Sequence, residues 1–188
     1  MKAFVLCPGP SLRHYRPSMH AGVLQTRIGV NRVPTRTPCH WWVFIDGEIY
    51  LEHADSLVSE VQIFTSKGAA RKITDAGRHD EFWRREPLLV EDENLPLPYT
   101  ELGWAVFSST AAMMLAAHLG ASEIECHGVD MEGSLDWDGH TCDRNNRTPD
   151  RWEREAVQWQ KVTSWITGSR GIEVVRCHQE LCSIGSAG

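Results

Sequence analysis

The sequence predicts an α/β domain, a three-layer sandwich in which one mostly parallel sheet lies between two layers of helix. Three observations predict it. Short apolar runs recur along the 188 residues and alternate with stretches of helical periodicity. The runs are continuous, as in strands buried on both faces. Several of them end in Gly, Asn or Asp, the kind of residue that meets ligands at the carboxyl edge of a parallel sheet.

The elements follow in order. Lys2–Leu6 (KAFVL) is a buried-strand run stopped by Cys7-Pro8-Gly9-Pro10. Arg27–Val30 is a second strand. Trp41–Ile45 (WWVFI) is a third, aromatic and β-branched and therefore strand-forming. Val61–Thr65, Leu88–Val90, Ile124–His127 and Ile172–Arg176 complete the set. Helices are expected over Gly68–Arg85, Thr110–Leu119 and Arg151–Thr167. The last places Trp152, Ala156, Trp159, Thr163 and Ile166 on one face, with Gly168 and Gly171 to stop it. Asp150, with Glu153 three residues on, reads as its N-cap. Glu91–Thr100 is a Pro-containing loop, long enough for a lid but equally an ordinary connection. Residues 1–182 form a single domain on this reading, and 183–188 a loose tail.

Composition excludes several classes. With 41% hydrophobic and 23% charged residues the chain is neither disordered nor a coiled coil. A net charge of -6 carries no nucleic-acid footprint, which is basic. No apolar run approaches the roughly 20 residues of a membrane span; Ala111–Ala121 is the most apolar stretch and contains His118. The apolar run after Lys2 is too short for a signal peptide, so a cytoplasmic location is expected, and the six Cys read as thiols. Cys39-His40, Cys126-His127 and Cys177-His178 are adjacent pairs, and Cys142 follows His140. Zinc uses such ligands. No C-x2-C clip exists, however, and strand neighbours point to opposite faces, so buried strand-end thiols are the better reading.

Three strand ends carry chemistry. In Cys7-Pro8-Gly9-Pro10-Ser11-Leu12 the glycine lets backbone approach a ligand, and Ser11 can cap a helix whose free N–H groups attract phosphate. A plain strand-to-helix turn explains the segment equally well. Phe107-Ser108-Ser109-Thr110 opens a helix with hydroxyls that cap it or reach a phosphate or ribose. Gly128-Val129-Asp130 ends a strand in a carboxylate suited to ribose hydroxyls or Mg2+. Asp46 and Asn31 add polar groups at two more strand ends. Neither G-x-G-x-x-G nor a Walker lysine motif occurs, which removes the usual support for dinucleotide or P-loop binding.

The ordered set GPSL (Gly9–Leu12), GVN (Gly29–Asn31), Ile45-Asp46 and SSTAAMMLAAHLGASEIECHGVDM (Ser108–Met131) resembles a Rossmann-like superfamily. That superfamily joins bacterial CMP-sialic-acid-dependent sialyltransferases of lipooligosaccharide synthesis with archaeal 6-hydroxymethyl-dihydropterin diphosphokinase-like proteins. The similarity spans about Lys2 to Met131, with a final helix and strand to Arg176. It implies that Gly9, Pro10 and Ser11 form the first nucleotide-binding loop and that Asn31 contacts the nucleotide. It implies further that Ser108, Ser109 and Thr110 meet phosphate or ribose, and that Asp130 is the acid beyond them. The sialyltransferases carry Gly-Asn-Gly before Pro-Ser; this chain has Cys7-Pro8-Gly9 and lacks that amide.

Sugar transfer needs a base for the acceptor hydroxyl. The resemblance points to a His beyond the G-x-D element, and His140 in Asp136-Trp137-Asp138-Gly139-His140 is the nearest match, with His178 its rival. Arg144 and Arg147 could clamp phosphates equally as they could line a solvated loop; Arg151 reads rather as a helix-start residue, and Trp137 could stack a base or sugar. The implied function is a nucleotide- or nucleotide-sugar-dependent transferase of glycosyltransferase (sialyltransferase-like) type. Two alternatives stand beside it. One is a Mg2+-dependent diphosphokinase acting on a hydroxymethyl (pterin-like) group, with Asp46 and Asp130 on the metal. The other is a non-catalytic module that binds a nucleotide or a partner. A homo-oligomer is compatible with all three.

Overall fold

The computed structural model describes residues 1–16, 24–92, 103, 107–133, 135–139 and 148–177. At the centre of the sheet lies β1 (Lys2–Leu6), in which Ala3, Phe4, Val5 and Leu6 are all fully buried. Such a strand has no solvent face, which explains its unbroken apolar run. β2 (Gln25–Val30) and β6 (Glu123–His127) flank it in parallel, so that Lys2 sits beside both Gln25 and Glu123. Outward from β2 come β3 (Trp41–Phe44), β4 (Gln62–Thr65) and β5 (Leu88–Leu89); outward from β6 comes β7 (Glu173–Cys177). All the pairings are parallel and the order is β5-β4-β3-β2-β1-β6-β7. The chain therefore fills one half of the sheet and then crosses β1 to begin the other, which makes the β1–β6 boundary the switch point where α/β sheets open a ligand crevice.

Side-chain alternation sorts the core into two halves. Phe4, Leu6, Trp42, Phe44 and Ile63 pack on one face with Tyr50, Ile73 and Phe82. Those three come from α1 (Gly47–His53), α2 (Lys67–Asp75) and α3 (His79–Trp83). Ala3, Val5, Ile28, Val43 and Cys126 face the other way, against α4 (Ser108–His118) and α5 (Pro149–Arg170). In α4 every residue from Ser109 to Ala117 is buried. Its Ala-rich sequence keeps the helix thin enough to lie close on the sheet, with α5 packed over it. α5 is amphipathic; Trp159, Val162 and Ile166 turn inward. No helix among the described residues is long and apolar enough to cross a membrane.

Some boundaries differ from expectation. The helix expected over Gly68–Arg85 is two helices, broken where Gly77 takes a left-handed φ of 83°. α1 was not foreseen. It is capped by Asp46, whose carboxylate accepts the Glu48 N–H at 3.2 Å. The cap of α5 is the Thr148 hydroxyl, which accepts the Arg151 N–H; Asp150 sits inside the first turn. Gly171 ends α5 in the left-handed conformation, as expected. The expected tail at 183–188 lies outside the described residues.

Candidate functional site

A cavity of about 350 Å³ opens at the carboxyl edge of the sheet, over β1, β2, β3 and β6. That volume falls within the range of small-molecule sites. The cavity collects Gly9, Asn31, Asp46, Ser108, Ser109 and Asp130, which are distant in sequence.

The floor is the seam between the ends of β1 and β6. The Gly9 N–H donates to the Gly128 carbonyl at 2.9 Å, and the Gly128 N–H donates to the Ser11 hydroxyl at 3.1 Å. The Ser11 N–H donates in turn to Asp130 Oδ2 at 2.8 Å. A Cβ on Gly9 would overlap both Asp130 Oδ2 and the Gly128 carbonyl oxygen, so only glycine permits this approach. Ser11 is thus a brace between two strand ends. It caps nothing, because Pro10–His14 is a short 3-10 turn without a side-chain cap. Neither Pro10 nor Ser11 is among the residues that line the cavity.

Asn31 sits in the left-handed region at φ 52°, where Asn is tolerated better than most residues. Its N–H donates to the Val43 carbonyl at 2.9 Å, and its carbonyl accepts the Trp42 indole N–H at 2.5 Å. Both backbone groups are used, which fixes the residue on the cavity wall. Asp46 lies further along the rim. One carboxylate oxygen caps α1 and stands 4.0 Å from Lys72 Nζ, and Lys72 is itself paired with Glu48.

At the opposite wall α4 begins without a side-chain cap and with no acid in its first turn. The positive end of the α4 dipole therefore faces the cavity without a carboxylate of its own first turn to offset it. Ser108 lines the wall. Ser109, buried, donates its hydroxyl to Glu155 Oε1 at 2.7 Å. Thr110 is fully buried, bonds the Phe107 carbonyl and does not reach the cavity. Arg151, Trp152 and Glu155 reach the same wall from α5. Arg151 lies 5.9 Å from the Phe107 ring and 5.8 Å from the Trp152 ring, and its buried Nε has no hydrogen-bond partner among the described residues. Arg151 is therefore both the helix-start residue its sequence suggested and a cation at the head of α4.

Behind Asp130 stands Arg176 of β7. Its Nε donates to the Val129 carbonyl at 2.6 Å and its Nη2 to the Asp130 carbonyl at 2.8 Å. Burial lowers the Arg176 pKa, while the charges of Asp130, Glu132 and Glu155 act to raise it. Cys7, on the cavity floor, is pushed well above the ordinary thiol range by burial and by Cys126, Glu155 and Asp130, so it stays neutral and is a poor nucleophile.

Arg32 forms a second support. It bonds Asp136 at 2.7 Å and also Asp138, and lies 4.7 Å over the Trp137 ring, while the Trp137 N–H donates to the Pro8 carbonyl. Arg32 thus holds Asp136 and Asp138, the two carboxylates that precede His140 in the sequence. Trp137, expected to stack a ligand, carries the Arg32 guanidinium instead and is not among the cavity residues. His140, Cys142, Arg144, Arg147 and His178 lie outside the described residues. Lys72, Glu155 and Arg176 were not singled out as site residues in the sequence, and Trp152 was read only as part of an apolar helix face. Arg176 shares its strand with a second charge, Glu173, so nothing in the sequence set it apart.

No protein-family model matches the chain, and no curated protein matches it by sequence. Solved structures match it by shape. A variant of the sialyltransferase CST-II in complex with CMP superimposes with a TM-score of 0.58 at 13% identity, over 97% of this chain and 83% of that one. The chain has a sialyltransferase-like fold. CST-II with a trisaccharide acceptor and CMP gives 0.57 at 13% identity, over 97% and 83% of the two chains. CstII from Campylobacter jejuni with the substrate analogue CMP-3FNeuAc gives 0.52 at 12% identity, over 93% and 81%.

Proposed function

We propose that the cavity binds a nucleotide-sugar donor and that the chain is a glycosyltransferase of sialyltransferase-like type. The observation that carries this reading is the convergence of Gly9, Asn31, Ser108, Ser109 and Asp130 on one hollow at the switch point of the sheet. Structural neighbours that hold CMP support it.

On this reading the donor phosphate rests at the positive start of α4, beside Ser108. Arg151 neutralises the charge that grows on the phosphate as the glycosidic bond breaks. Gly9 supplies close backbone approach, Asn31 an amide for the nucleoside, and Asp130 its unbraced carboxylate oxygen for ribose hydroxyls. The acceptor hydroxyl attacks the anomeric carbon and its proton passes to a base. His140 is the residue that the resemblance implies for that step.

The test is a thermal-shift screen across CMP, UDP, GDP, ATP and their sugar conjugates, with and without Mg2+. At a hundredfold excess over Kd, binding is worth about 2.7 kcal/mol, or roughly 5–10 °C in a chain of this size. A cytidine nucleotide or its sugar conjugate should give that shift without metal. Arg151→Gln should weaken the binding about 10–100-fold, the value of a charge-assisted hydrogen bond. A shift with ATP and Mg2+ alone would transfer the assignment to diphosphate transfer, and no shift with any nucleotide would overturn the reading.

A further inference from the structure

We propose that Glu125, His127 and Cys177 form a zinc site at the β6–β7 edge of the sheet, separate from the cavity. Strand alternation splits the adjacent pair Cys126-His127: Cys126 packs toward α4 and α5, while the His127 ring lies on the other face beside Phe4 and Tyr15. Parallel pairing brings together what adjacency separates. His127 is in register with Cys177 of β7, and Glu125, two residues back on β6, points the same way as His127. One donor atom from each of the three side chains lies within 4.8 Å of the other two. Ligand atoms around tetrahedral zinc are roughly 3.3–3.8 Å apart, given bonds of about 2.0–2.3 Å, so small side-chain movements close the site.

The donor set is that of zinc. A thiol, an imidazole and a carboxylate suit a borderline-soft d10 ion, whereas Mg2+ and Ca2+ take oxygen ligands. Glu125 Oε1 already meets His127 Nε2 at 2.8 Å. Its other oxygen, Oε2, is held by Lys2 at 2.5 Å, and Lys2 is shared with Glu123 at 2.6 Å. The ammonium therefore orients the carboxylate from outside the site. Zinc takes the position of the hydrogen between Oε1 and Nε2, leaving the imidazole proton on Nδ1, and the Cys177 thiol gives its proton to solvent. Thiolate and carboxylate together balance the two charges of the ion. His127 and Cys177 are 6% and 9% exposed, so the ligands are held by strand backbone and are largely shielded from water. Three protein donors leave one tetrahedral position for water.

The test is titration of the whole, metal-stripped protein with Zn2+ against a chromophoric chelator, and with Co2+ in the near ultraviolet, where thiolate ligation absorbs. Wild type should bind one zinc and show the thiolate–cobalt band. Cys177→Ser should abolish the band. Cys177→Ser and Glu125→Gln, each checked for folding by circular dichroism, should weaken zinc by more than about tenfold, since losing even an outer support costs that much. Absence of zinc binding by wild type overturns the proposal. So does a band that survives in Cys177→Ser, or equal affinity in both folded variants. If Cys177→Ser does not fold, the affinity of Glu125→Gln decides the question. Failure of this site would leave the nucleotide reading untouched, because no residue of the cavity takes part.

Discussion

Ser109→Ala tests the construction of the site most directly. Ser109 is 4% exposed, and its hydroxyl donates at 2.7 Å to Glu155, itself 9% exposed. A hydrogen bond to a charged group is worth about 1.5–3 kcal/mol, and its loss leaves a buried carboxylate oxygen without its donor. Ser109 is inside the helix, with Phe107 at the N-cap, so the variant also gains about 0.5 kcal/mol of helix propensity. The net loss should be about 1–2.5 kcal/mol, or a Tm fall of roughly 2–10 °C. Urea unfolding of wild type, Ser109→Ala, Glu155→Gln and the double variant gives the coupling between the two groups. It should be about 1 kcal/mol or more, against additivity within about 0.5 kcal/mol for independent sites. Nucleotide affinity in Ser109→Ala should fall about tenfold, because Glu155 loses the donor that holds it and leaves an unpaired carboxylate oxygen at the wall that takes the phosphate. Coupling near zero would show that Ser109 acts alone as a helix-start hydroxyl. Unchanged affinity would remove it from the phosphate site.

Two more outcomes are expected. Arg176→Gln removes both bonds to the Val129 and Asp130 carbonyls; calorimetry and unfolding should show a loss of about 2–3 kcal/mol together with weaker nucleotide binding, and intact affinity would mean that the Asp130 loop holds itself. His40 accepts the Arg27 N–H on Nδ1 at 2.9 Å, and burial, with the Arg27 charge, lowers its pKa below the ordinary 6.5. Its contribution to stability is therefore complete above pH 6.5 and is lost as pH falls through the folded value. His40→Gln should flatten the pH dependence of Tm in that window, and an identical slope in wild type and variant would refute the assignment.

Much of the fold was legible because the signals are local. KAFVL marks a strand buried on both faces, and β1 has the bounds its apolar run sets. The alternation of strand and helix implies a parallel sheet, and the polar residues at strand ends predict a shared rim, where Gly9, Asn31, Asp46 and Asp130 do lie. α1 escaped because seven residues are too few to display a period, and Asp46 ending WWVFI looks like a ligand-binding carboxylate before it looks like a cap. The break at Gly77 is a single left-handed residue within a pattern that otherwise reads as helix.

The functions of individual side chains were less legible. Ser11, Thr110 and Trp137 belong to plausible motifs, yet their partners are a strand-end N–H, a neighbouring carbonyl and an arginine. Each partner depends on packing rather than on nearby sequence.

Hydropathy and chain punctuation, which act over a few residues, were enough to specify the parallel sandwich and to gather polar strand ends on one edge. Tertiary structure alone decided which groups meet there: Arg151 and Glu155 of α5 at the head of α4, Arg176 behind Asp130, and Cys177 beside His127. The physical reason is that strand register and helix packing are set by the sum of contacts across the whole sheet. A shift of one residue in β7 would send Cys177 to the opposite face while leaving every local pattern unchanged.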